Sequence, residues 1–182
     1  MKTSDIAKQA VRLGGQKALE FFTNRDQLTI DVKGPQDYVS EADRTVEAIM
    51  IDFLQRHFPD DGFLGEESSE IKQTKQWVID PIDGTTNFIR GLPYFCTTLA
   101  LVENERVIGG WIFDPTRDEL YEANLGDSAY CNGQRLQPSW RHNFSTGLVG
   151  ICHSSRLTAQ ELAGRITGAL ERGAILRQPG AA

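Results

Sequence analysis

A chain of 182 residues, 40% hydrophobic and 24% charged, is long enough for a sizeable core and too mixed for a disordered or low-complexity polymer. Its net charge of −6 and pI near 5.1 argue against a nucleic-acid surface, so any phosphate site must bring its own local positive charge. No apolar run approaches the roughly 18 residues of a membrane span, the N-terminus lacks a signal-peptide core, and three widely spaced cysteines fit a reducing cytoplasm.

Ser4 is positioned to cap a first helix, because Ile6, Ala10, Leu13, Phe21 and Phe22 recur at helical spacing. Residues 28–32 alternate apolar and polar as a half-buried strand does, and residues 33–37 read as a turn or loop. Ser40 with Asp43 resembles a capping box ahead of an amphipathic helix carrying Val46, Ile49, Met50, Phe53 and Leu54, which the stretch from Pro59 to Gly62 ends. Residues 77–80 form a short buried strand expected to stop at Pro81. Residues 97–102 and 107–113 flank a polar stretch and read as a hairpin. Another strand is expected at 120–123, a tight turn at Asn132-Gly133, and a strand at 148–152. Leu162, Ile166 and Leu170 then give a helix closed by Gly173, and Ile175 and Leu176 begin one more strand. The order predicts an α+β fold, helices packed on a mostly antiparallel sheet. Cys96, Cys131 and Cys152 lack metal-site spacing and read as small packing residues, with a nucleophile role as the lesser alternative.

The most informative segment runs from Asp80 to Phe88, Asp-Pro-Ile-Asp-Gly-Thr-Thr-Asn-Phe. A turn between Asp80 and Asp83 can aim two carboxylates at one point, with Pro81 stiffening it and Gly84 permitting close approach to the backbone. A helix beginning near Thr85 would present the Gly84 and Thr85 N–H groups as a phosphate cradle. Oxygen ligands beside such a cradle suit Mg²⁺. In Gly65-Glu66-Glu67, Glu66 is placed to join Asp80 on a metal and to orient a water, with the Thr85 hydroxyl helping to align it. Taken singly, an Asp-Gly is usually a turn, a Glu-Glu pair usually surface, and Asp43 usually a cap.

Gly65-Glu66-Glu67, the run from Trp77 to Phe88 and the downstream Gly-Leu-Pro-Tyr-Phe ending at Phe95 closely resemble the inositol monophosphatase family of metal-dependent, lithium-sensitive sugar phosphatases. The resemblance implies that fold, a layered α/β sandwich. It assigns Glu66, Asp80 and the Ile82 carbonyl to a first Mg²⁺, and Asp80 with Asp83 to a second, of two or three ions in the complete site. It gives the phosphate to the Gly84 and Thr85 N–H groups and activation of the attacking water to Glu66 and Thr85. Asp43 matches an acidic position near the more weakly held metal, so capping and catalytic readings both stand. Ser154 falls where a substrate-contacting serine occurs, although a strand-end turn explains it equally well.

Family members continue into a further α/β portion carrying a Trp-Asp motif, and no Trp-Asp pair occurs here. The expectation is therefore a truncated chain, with a metal- and phosphate-binding portion at 1–145 and the start of an incomplete α/β portion at 146–182. The expected activity is Mg²⁺-dependent hydrolysis of inositol monophosphate or a similar polyol phosphate, by a full-length homodimer with no nucleic-acid or membrane partner. Histidinol phosphate, a nucleotide bisphosphate, or a non-catalytic binding module are the alternatives.

Overall fold

The computed structural model describes residues 2–27, 30–34, 37–66, 71–138, 143–151 and 157–181. Two compact units emerge, Met1–Leu136 and Gln137–Ala182.

In the first unit, α1 (Thr3–Thr23) and α2 (Glu41–His57) pack against each other and on a seven-stranded sheet. The strands are β3 (Gly62–Leu64), β4 (Lys75–Asp83), β5 (Cys96–Glu103), β6 (Arg106–Asp114), β7 (Glu119–Asn124), β8 (Ala129–Cys131) and β9 (Gln134–Arg135), hydrogen-bonded in chain order. Only the β3–β4 pair is parallel, so the sheet is mostly antiparallel, as the element order predicts. A separate hairpin joins β1 (Ile30–Gly34) to β2 (Asp37–Ser40). It carries the predicted strand; Leu28, Thr29, Pro35 and Gln36 lie outside the described residues.

Small residues on α1 (Ala7, Ala10, Gly14, Gly15, Ala18) are buried, which lets its backbone approach its neighbours closely. A Cβ on Gly14 would lie 2.5 Å from the Met50 sulfur on α2, and one on Gly15 would lie 3.0 Å from Cε1 of Phe113 on β6. Trp77 and Trp111 pack in a tilted arrangement within the core, 5.9 Å between ring centroids, both essentially inaccessible. Each supplies a large apolar area, the main stabilising term in a domain of this size. The two-residue turns joining β5 to β6 and β8 to β9 take positive φ, at Asn104 (50°) with Glu105 (63°) and at Asn132 (48°) with Gly133 (76°).

Two expectations are corrected at α1. The helix starts at Thr3, and the Lys2 N–H donates to the Asp5 carboxylate at 3.3 Å, so Ser4 is not the cap. The Ser4 hydroxyl instead donates to Glu122 and accepts from the Trp111 indole N–H. Leu13 fits the helical period but is exposed, because the buried stripe runs through Gly14 and Gly15.

The second unit contains a short 3-10 turn at Phe144–Thr146, β10 (Leu148–Gly150), α4 (Ala159–Glu171) and β11 (Ile175–Arg177). Thr158 and Glu161 form a reciprocal capping box at the start of α4. Gly173, at φ 82°, turns the chain into β11, which pairs parallel with β10. No helix among the described residues is long and apolar enough to cross a membrane.

Candidate metal and phosphate site

The site begins with an irregularity in β4. Its first half pairs regularly with β5 as far as Asp80 opposite Thr98, and pairing resumes with Asp83 opposite Cys96. Pro81 and Ile82 therefore stand opposite the single residue Thr97, the two-against-one count of a β-bulge. The strand does not stop at Pro81, as the sequence suggests; it passes through it, because a proline without an N–H is tolerated at a bulge. Thr97 is fully buried, and its hydroxyl donates to the Pro81 carbonyl at 2.8 Å, tying down the displaced segment.

This bulge has a direct stereochemical consequence. In a regular strand, residues three apart point to opposite faces; the extra residue restores Asp80 and Asp83 to one face. Trp77 and Ile79 point into the core, Pro81 and Ile82 are both buried, and the two aspartates are half-buried.

Gly84 follows with φ 97°, a left-handed conformation suited to glycine, and turns β4 into α3 (Thr85–Ile89). An aromatic cluster anchors the short helix: Phe22, Phe88 and Phe95 pack with ring centroids 4.9 to 5.6 Å apart. The Asn87 amide donates to the Tyr94 carbonyl at 2.8 Å. Asn87, Phe88 and Phe95 thus hold the scaffold on which Gly84 and Thr85 sit.

Asp43, on the first turn of α2, is buried. The Thr85 hydroxyl lies 3.0 Å from the Ile82 carbonyl and 3.4 Å from Asp43 Oδ1, so its proton has two acceptors. The Ser40 side chain, the other half of the expected cap, lies outside the described residues, as do Glu67 and Ser154.

Asp80 carries the electrostatic signature of the site. Burial pushes its carboxyl up to about 7 from an ordinary 3.8, and the nearby charges of Glu66, Asp83 and Asp43 push in the same direction. A backbone hydrogen bond at Ile82 opposes them. Asp80 Oδ1 is buried with no hydrogen-bond partner. Three acidic residues, from α2, the segment just after β3 and the end of β4, thus act on Asp80. Among the described residues, no three ligating side chains already converge on a coordination centre. The donor set is all oxygen, and an orphaned buried carboxylate oxygen amid like charges fits a hard divalent cation.

Sequence reasoning missed three neighbours. Thr97 holds the bulge. The Cys96 thiol lies 3.7 Å from Asp83 Oδ2, so this cysteine touches the acidic group as well as packing. Glu47, one helical turn after Asp43, is buried beside Gly65. The signal for Glu47 was available, since it shares the helical stripe of Asp43, Met50 and Leu54.

The inositol monophosphatase family profile matches residues 2–179. An inositol-1-monophosphatase of Rhizobium meliloti (strain 1021) is 40% identical over 149 residues, covering 80% of this chain and 56% of that protein. The Nus factor SuhB of Escherichia coli (strain K12) is 38% identical over 138 residues, covering 74% of this chain and 52% of that one. The chain spans about half the length of these curated relatives. Among solved structures, the extragenic suppressor protein SuhB of Bartonella henselae superposes with a TM-score of 0.94 at 30% identity, over 98% of this chain and 70% of that one. The Thermotoga maritima inositol monophosphatase gives 0.87 at 29% identity, over 100% and 69%.

Proposed function

The chain belongs to the inositol monophosphatase family, and from that membership and the acidic end of β4 we propose that it provides the metal- and phosphate-binding part of a Mg²⁺-dependent phosphomonoesterase. The observation that carries this reading is Asp80, a half-buried side chain with one buried, orphaned carboxylate oxygen, pushed to about 7 by burial and three acidic neighbours.

Glu66, Asp80 and the Ile82 carbonyl would hold one Mg²⁺, and Asp80 with Asp83 a second. Bound Mg²⁺ lowers the pKa of water and neutralises charge on the phosphoryl oxygens. The Gly84 and Thr85 N–H groups bind the phosphate, aided by the turn that Gly84 makes at φ 97°. Glu66 and the Thr85 hydroxyl orient the attacking water. Asp43 accepts from that hydroxyl and gives a displaced proton a place to reside. Water oxygen bonds to phosphorus as the bond from phosphorus to the alkoxyl oxygen breaks in line. The departing alkoxide takes up a proton, leaving an alcohol and inorganic phosphate.

The substrate class proposed is an inositol monophosphate or similar polyol phosphate, by analogy with the Rhizobium relative's name. Mg²⁺-dependent phosphate release should be compared for inositol 1-phosphate, histidinol phosphate and a nucleotide bisphosphate. The assay uses this chain and a version extended to its relatives' length. Release from inositol 1-phosphate, abolished by chelator, is the expected result; release from another member of the panel alone reassigns the substrate. No release from any, by either folded version, contradicts the phosphatase reading.

A further inference from the structure

Gly65 lies between β3 and Glu66, and its φ is not in the left-handed region, so glycine is not needed there for backbone conformation. Space is the reason. A Cβ on Gly65 would lie 2.5 Å from Glu47 Oε1, and closer still to the other carboxylate oxygen and the carboxyl carbon. The flat face of the Glu47 carboxylate is therefore seated against the Gly65 backbone. Glu47 is 2% exposed, an unusual burial for a glutamate and one that fixes its side chain.

Two acidic residues on one face of α2 thus serve one place. Asp43 reaches Thr85 and acts on Asp80, while Glu47, four residues later, meets the backbone that leads directly into Glu66. Glu66 in turn is the largest charge acting on Asp80.

We propose that Glu47 is a positioning residue: its buried carboxylate, seated on Gly65, sets the path of the chain so that Glu66 is delivered to Asp80. This rests on the metal-site reading above. Glu47 holds no cation itself; it acts through Glu66. Such supporting contacts typically change metal affinity by about 10- to 100-fold when removed.

The test is a set of Mn²⁺ titrations followed by electron paramagnetic resonance on the whole chain, with circular dichroism melts confirming the fold. Glu47→Ala should weaken Mn²⁺ binding about tenfold, and Glu47→Gln, which keeps the planar contact, should restore most of it. In a Glu66→Gln background, Glu47→Ala should weaken binding less than about twofold, because the residue it positions is already disabled. Gly65→Ala should weaken binding as Glu47→Ala does, and less so when Glu47 is alanine, where the methyl has room. If Glu47→Ala does not fold, Glu47→Asp, which keeps the charge but withdraws it from Gly65, should also weaken binding. Undiminished affinity in folded Glu47→Ala or Glu47→Asp, or equal losses with and without Glu66, overturns the inference while leaving the metal site standing. Absence of Mn²⁺ binding by the unmodified chain overturns the metal-site reading and this inference with it.

Discussion

From Lys75 to Ile79, β4 pairs with β5 in unbroken antiparallel register and sends Trp77 and Ile79 into the core; from Asp80 to Asp83 the register slips by one residue and the half-buried side chains are carboxylates. The first stretch lowers the free energy of the fold through apolar burial. The second raises it by gathering like charges in a poorly solvated place, a feature common where binding or chemistry is done. A single strand therefore separates what stabilises the domain from what gives it a candidate site, and the bulge opposite Thr97 is the boundary.

The sharpest separation should come from Trp77→Ala. Loss of this fully buried ring should destabilise the first unit by about 3–5 kcal/mol in chemical denaturation. Affinity of the remaining folded fraction for a divalent cation should be unchanged within about twofold, since Trp77 lies in the regular half of the strand.

Asp80→Asn should do the reverse. A carboxyl whose folded value is raised to about 7 from 3.8 contributes stability that is fully present below the lower value and is lost as pH rises through the upper one. Without divalent cations, variant and parent should melt alike near pH 4. The variant should then gain on the parent as pH rises towards 8, by about 5 °C or more. A constant difference across that range would show that Asp80 does not carry the repulsion assigned to it.

In whichever version of the chain releases phosphate, Asp83→Asn should reduce that release at least about 100-fold, roughly 2.7 kcal/mol of transition-state stabilisation, while leaving the melt nearly unchanged. Full Mg²⁺-dependent activity in that variant would remove Asp83 from the site. The smallest effect is expected from Thr97→Val, which leaves the Pro81 carbonyl without its donor. It should lower stability by about 1–3 kcal/mol and weaken cation binding severalfold as the bulge relaxes. Lost stability with unaltered affinity would show that Thr97 supports the strand but not the aim of the two aspartates.

Much of the fold was legible because its signals are local. The hairpin at Asn104 and Glu105, the turn at Asn132 and Gly133, and α4 with its closing Gly173 depend on neighbouring residues and periodicity. The family resemblance rested on residues that the structure now divides between two duties. Asp80, Asp83 and Gly84 form the acidic turn, whereas Asn87, Phe88 and Phe95 anchor it. What the sequence concealed was nonlocal. Pro81 reads as a strand terminator until the partner strand shows a two-against-one count, and Thr97 reads as an ordinary strand residue until its hydroxyl meets Pro81. Ser4 reads as a cap until Glu122 and Trp111, more than a hundred positions away, claim its hydroxyl.

The most direct test of the account is calorimetric titration of Mg²⁺ into the folded chain and into Asp80→Asn at about pH 8, above the Asp80 value of about 7. Saturable binding by the chain, weakened at least about tenfold in the variant, is the predicted result. Heats indistinguishable from buffer in the parent, or equal affinity in both proteins, would contradict the claim that the bulged end of β4 is a cation site.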